Sequence, residues 1–314
     1  MSNKKAFRSA LYLSMMVSLA ACGGGGSSSS NNSSGGKLML DSGGYAERKV
    51  SIGKQSDVSA ALEIYETSLA ISELMWDVER EIDTWGEPEE NGNVYTLACK
   101  NSTGSGTVVI TYRGNDLTDD EHWQFTNCEV PNRDFGPLLL NGAYRYVEKL
   151  NDRGDNWTWN GYGDFNISGR VLNSGKELKI LGRESWDGYE NDYGDYKFSY
   201  RTGALELVLG EEYLALSNVT LTELEDRDNY SSALNGRLIS SAMGGYIHIS
   251  TPTPIQGSFD SSCPNKGVER IESDGYVEIR YGSDTGRGDY GVVVEINNNF
   301  AVGYETCHQL SSNL

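Results

Sequence analysis

Hydrophobic and polar positions follow three different rhythms along this chain. From Ala10 to Ala21 the residues are almost all apolar, after the positive Lys4, Lys5 and Arg8. From 57 to 85 the apolar residues Val58, Leu62, Tyr65, Leu69, Leu74, Met75, Val78 and Ile82 recur at about 3.6 residues, the period of a helix with one buried stripe. Ser56-Asp57 supplies an N-cap and Gly86-Glu87-Pro88 stops the run. After residue 92 the pattern alternates with period two. Val94–Cys99, Thr107–Tyr112, Trp123–Thr126, Ala143–Val147, Leu178–Ile180, Tyr196–Tyr200, Leu205–Leu209, Tyr246–Ile249, Tyr276–Tyr281 and Val292–Ile296 are short, β-branched or aromatic, and bounded by Gly, Asn and Asp. No alternation of strand with helix appears, so the sheet should be antiparallel.

Two stretches echo each other. Thr107–Tyr112, Phe125–Cys128 and Leu140-Asn141-Gly142 are followed by Leu205–Leu209, Leu216–Val219 and Leu234-Asn235-Gly236. The offset is 91 residues from Asn127 to Asn218 and 94 from Asn141 to Asn235. The expected fold is therefore mainly β: antiparallel sheet from a duplicated meander of about 92 residues, with one N-terminal amphipathic helix packed on it, across which Trp76 and Trp85 help cover the sheet. Each Asn-Gly pair is expected to be a turn with positive φ. The boundaries read as 1–21 leader, 22–36 tether, 37–92 helix-containing lead-in and 93–314 β-rich region, with a possible division into 93–202 and 203–314.

The apolar run of the leader is too short to span a bilayer core, which needs about 20 helical residues. A positive start, a short apolar segment and small residues at its end form a secretory signal. Its last four residues, Leu19-Ala20-Ala21-Cys22, resemble the lipobox of the bacterial lipoprotein family. That resemblance implies that Cys22 carries a thioether-linked diacylglyceride, that the leader is removed before it, and that the new amine is acylated. Gly23, in place of Asp, implies the outer membrane by similarity to enterobacterial lipoproteins. Residues 23–36 are Gly, Ser and Asn only, a flexible tether reaching about 20 Å. The strand–Phe-x-Asn-Cys–Leu-Asn-Gly–strand pattern resembles β-rich envelope lipoproteins of Gram-negative bacteria and implies no activity.

Charge narrows the partners. Without the leader, 23 basic residues face 45 acidic ones, a net charge of about −22. Such a field repels nucleic acid and anionic headgroups, which argues against a nucleic-acid function. The lipid at Cys22 is then the expected membrane partner, with an envelope protein or a polysaccharide as the possible second one. The four remaining cysteines form an even set in an exported chain, the signature of disulfides. Of three pairings, Cys99 with Cys128 and Cys263 with Cys307 is expected, because each pair brackets a similar stretch of strand sequence. Zinc would want a CxxC pair, which is absent, and His122, His248 and His308 are far apart in sequence.

Chemistry-bearing patterns are sparse. No cofactor is expected, with Ca²⁺ as the one possibility. The acidic loops 116–121, 151–155 and 187–195 offer hard oxygen ligands, and Asp187, Asp192 and Asp195 are the set a calcium ion would use. Glu184, Asp187 and Glu190 stand beside Trp186 and Tyr189, carboxylates and aromatics of the kind glycosidases combine. Trp157, Trp159 and Tyr162 form an aromatic patch that could be a ligand face, though alternating aromatics in a strand also serve a core. No G-x-S-x-G, Walker loop or dinucleotide fingerprint occurs. The expectation is a lipid-anchored envelope protein with a non-enzymatic binding or structural role. An exported polysaccharide-acting hydrolase, a carbohydrate-binding protein and a lipid-transfer lipoprotein are the alternatives.

Overall fold

The computed structural model describes residues 37–53, 74–75, 77–99, 106–132, 135–152, 156–261 and 263–313. It is dominated by a single 15-stranded antiparallel sheet whose spatial order is its chain order. The strands are β1 Glu89–Asn91, β2 Val94–Cys99, β3 Gly106–Tyr112, β4 Thr118–Val130, β5 Leu138–Asp152, β6 Asn156–Val171, β7 Glu177–Asn191 and β8 Tyr196–Leu209. They continue as β9 Glu212–Glu225, β10 Asn229–Ser240, β11 Gly245–Ser258, β12 Lys266–Ser273, β13 Gly275–Gly282, β14 Val292–Ile296 and β15 Asn299–Tyr304. The chain closes with a short helix at Cys307–Asn313. Every pairing joins strands consecutive in sequence, as tight turns dictate. The loop between β14 and β15 is the clearest case: Asn297 and Asn298 both adopt positive φ, the two-residue geometry whose twist matches the strands it joins.

Of the helix expected over 57–85, residues 74–75 and 77–82 are described and helical, here called α1. Val58, Leu62, Tyr65, Leu69 and Trp76 lie outside the described residues, as do Cys22 and the leader and tether. Leu74, Met75, Val78 and Ile82 belong to the same buried cluster as the sheet, and Trp85 packs against it. Among the described residues no helix is long and apolar enough to cross a membrane.

The period-two pattern assigns the faces. In β6, Trp159, Phe165, Ile167 and Val171 are buried while Thr158, Asn160, Asn166 and Ser168 are exposed. The buried side, the core face, runs from Leu97 and Val108 in β2 and β3 to Val292 and Val294 in β14 as one cluster. The opposite face is mostly polar, and residues 38–46 cross it. There Leu38, Leu40, Tyr45 and Ala46 meet Val208, Tyr213, Ala215, Ile239 and Tyr246 in a second, smaller cluster. Glu206, wholly buried beneath this strap, accepts the backbone N–H groups of Met39 (2.6 Å) and Leu40 (3.0 Å) and the Tyr213 hydroxyl (2.9 Å). A carboxylate buried on that face is tolerable because three donors replace its water.

Two expectations need correction. Asn141-Gly142 and Asn235-Gly236 are not turns; they lie inside β5 and β10. Their glycines serve close approach: a Cβ at Gly142 would stand 2.2 Å from the Asn166 carbonyl oxygen, and one at Gly236 2.5 Å from Val219. Tyr196–Tyr200 and Leu205–Leu209 are one strand, joined across a register shift opposite Arg183 and Glu184. The possible division at 202/203 falls at that shift, inside β8. β6, read in the sequence only as an aromatic patch, is the longest strand.

Both expected disulfides are present, Cys99–Cys128 and Cys263–Cys307, each with Cα atoms 5.3 Å apart. The first links β2 to β4 across β3. It passes where Cys99 pairs with Gly106, a residue with no side chain to obstruct it.

Candidate functional site

The aromatic patch is divided by the pleat. Trp157 and Trp159 project from β6 to the core face and Tyr162 to the opposite one, since odd and even positions alternate. Trp159 is buried, its ring lying against Gly188 of β7, where a Cβ would come within 2.1 Å of the indole. Trp186 lies in the same way against Gly161 of β6. Each tryptophan thus covers a cross-strand glycine. Tyr162 instead carries the Arg183 guanidinium 3.9 Å from its ring centre, with Arg145 on its other flank at 5.8 Å.

The acidic loop is spread along a strand. Asp187 points to the face opposite the core and pairs with Arg201 at 2.5 Å. Asp192 and Asp195 sit in the turn between β7 and β8, where Asp195 accepts a hydrogen bond from Asn191 (2.8 Å). Five extended residues, about 16 Å, separate Asp187 from Asp192. Among the described residues no three His, Cys, Asp or Glu side chains gather closely enough to hold a metal ion. Glu184 and Trp186 share the core face, whereas Asp187 and Tyr189 are on the other side.

What the core face does collect is a band of aromatics and carboxylates at the end of the sheet away from the aliphatic rows. Trp123 donates its indole N–H to Glu121 (2.9 Å), Trp186 to Glu148 (3.0 Å), and Tyr200 its hydroxyl to Glu184 (3.0 Å). Ring pairs extend the band: Tyr146 with Trp186 at 5.5 Å and Trp159 with Tyr196 at 6.0 Å. Burial pushes the Glu184 carboxyl up to about 7, against the opposing pull of the Tyr200 hydrogen bond. Glu223 in β9 is also held at about 7, by burial first and Glu225 second, and its Oε2 has no hydrogen-bond partner. Glu269 in β12 reaches about 7 through burial alone. Sequence reasoning passed over Glu223 although a signal was there. Leu221, Glu223 and Glu225 share one phase of the alternation, so the acids continue an apolar side.

At the end of this band a cleft of about 640 Å³ opens between the hairpin ends of β9–β10 and β11–β12. Glu225, Tyr230, Gln256, Asn265 and Lys266 are among its walls. Burial and then Glu190 raise the Glu225 carboxyl. Asn265 is fixed at its backbone, its N–H donating to Gln256 (2.7 Å) and its carbonyl accepting from Ser283 (2.9 Å). Phe259, half exposed, packs its ring against Tyr230 at 5.6 Å. Such a concavity is of ligand size; most of its lining residues are polar, while apolar atoms make up the larger part of the lining surface. No protein-family model, curated protein or solved structure matches the chain.

Proposed function

We propose that this chain is a lipid-anchored protein of the bacterial cell envelope, held in the outer membrane through Cys22, which binds an envelope protein or polysaccharide rather than catalysing a reaction. The observation that carries the reading is the pair of disulfides. Cytosolic thiols are kept reduced, so four cysteines joined in two bridges belong to an exported protein. The leader ending in Leu19-Ala20-Ala21-Cys22 supplies the export route and the anchor. A Gly/Ser/Asn tether then lets the sheet stand off the membrane.

Binding is favoured by how the carboxylates are used. Glu121, Glu148 and Glu184 accept hydrogen bonds from aromatic side chains, and Asp120 and Asp187 are paired with Arg145 and Arg201. These acids organise the sheet.

We further propose that β3–β5 and β8–β10 are copies of one meander and that the helix runs through residues 57–82. Asn127 and Asn218, equivalent in the echo, both adopt positive φ (45° and 52°) beside a register shift.

Metabolic labelling with an alkyne fatty acid tests the anchor. Wild type should carry label and sediment with outer membrane, while Cys22→Ala should lose both. A wild-type protein without acyl groups, or one whose native N-terminus is Met1, would overturn the reading.

A further inference from the structure

We infer that the cleft between the β9–β10 and β11–β12 ends is a saccharide-binding site for a neutral or amine-bearing sugar chain. The inference rests on the binding role proposed above and names its ligand class. Three features of the cleft point to sugar. First, two carboxamide residues, Gln256 and Asn265, are among its lining residues. A carboxamide offers a donor and an acceptor together, which matches the paired hydroxyls of a sugar ring. Second, an aromatic ring stands beside it. Phe259 is 51% exposed although large and apolar, and it is held in place by the ring of Tyr230, which itself lines the cleft. The C–H face of a pyranose stacks on such a ring and recovers the cost of leaving it in water.

Third, the wall is held in shape before any ligand arrives. The Asn265 backbone is pinned between β11 and the turn at Ser283. The Cys263–Cys307 bridge ties the loop carrying Phe259 and Asn265 to the C-terminal helix. Preorganised donors lower the ordering cost of binding, which matters for a weakly held polar ligand.

Charge selects among sugars. Glu225 and Asp226 outnumber Lys266 in the lining, and Glu223 lies one residue pair deeper on the core face with an unpartnered, buried Oε2. With a net charge of about −22 once the leader is removed, the site repels uronic acids and favours amino sugars.

The test is calorimetric titration of the purified full-length protein, lipidated or not, in a sugar-free detergent, with tetramers of glucosamine, N-acetylglucosamine and galacturonic acid. At least one of the first two should bind and galacturonate should not. Phe259→Ala and Asn265→Ala should each weaken binding about tenfold, the equivalent of one stacking contact or one satisfied amide, with an unchanged circular dichroism spectrum. No binding to either amino-sugar tetramer, a preference for galacturonate, or binding indifferent to both variants would overturn the inference. Because the titration does not depend on lipidation, its failure and a failure of the fatty-acid labelling are separate results.

Discussion

Single residues carry the two most local constraints in this protein, backbone handedness and buried charge. Asn127 and Asn218 sit in the left-handed region, which a Cβ makes unfavourable by about 1–2 kcal/mol and which Asn and Gly tolerate best. Replacing either by Ala should therefore destabilise the fold by about 1 kcal/mol, and replacing it by Gly should not, as measured by urea unfolding. If the two sites are copies, the two Ala variants should lose similar amounts. Glu223 gives a pH signature. Its carboxyl is raised from 4.5 to about 7 on folding. Below about pH 4.5 both states hold the proton. As pH rises toward 7 the unfolded chain releases it and the folded one does not, so stability drains away across that window, by up to about 3 kcal/mol. Glu223→Gln cannot ionise, and its advantage over wild type should grow from pH 4.5 to 7.5. A difference in unfolding free energy independent of pH would contradict the assignment. The two asparagines were legible in the sequence as landmarks of a repeat. Glu223 was legible only as one phase of an alternation shared with Leu221 and Glu225, and the burial of that phase came from the tertiary structure.

Among elements, β6 and β7 show how packing is built from pairs across strands. Trp159 lies over Gly188 and Trp186 over Gly161, so each glycine is the space its partner tryptophan fills. Gly188→Ala would place a methyl 2.1 Å from the Trp159 indole. It should cost about 1–3 kcal/mol by overpacking, whereas the same change at Gly288, where nothing lies within 4 Å, should cost little. Thermal unfolding of the two variants distinguishes them. In the sequence, Trp157-Thr-Trp159 was visible as an alternating aromatic pair, and a core role was one of its two readings. Cross-strand register is a nonlocal quantity, so the glycines opposite were beyond reach. The same limit explains the misread Asn-Gly pairs. They carry the composition of a hairpin turn, and only strand pairing reveals that neighbouring backbone requires a missing Cβ there.

For the whole molecule, the consequence of a sheet ordered as the chain is that no cut leaves two finished halves. Division after residue 202 would sever β8, which pairs along its length with both β7 and β9. Fragments 1–202 and 203–314 produced separately should each lack cooperative unfolding and defined side-chain resonances, because each exposes a long apolar strand edge. Two independently folded fragments would refute this. The strap at residues 38–46 adds a tie across the middle of the sheet, through buried Glu206.

Local chemistry alone determined the strand-rich class, the antiparallel pairing and the partners of Cys99, Cys128, Cys263 and Cys307, and it is the whole basis on which a lipid at Cys22 is proposed. Those follow from periodicity, short loops and composition, all of which act between near neighbours. Tertiary structure decided the count and order of strands, which face each aromatic side chain serves, the burial of Glu184, Glu206, Glu223 and Glu269, and the meeting of two hairpin ends in a cleft. Each of these depends on register and on contacts between residues distant in the chain, where one step of slippage exchanges inside for outside.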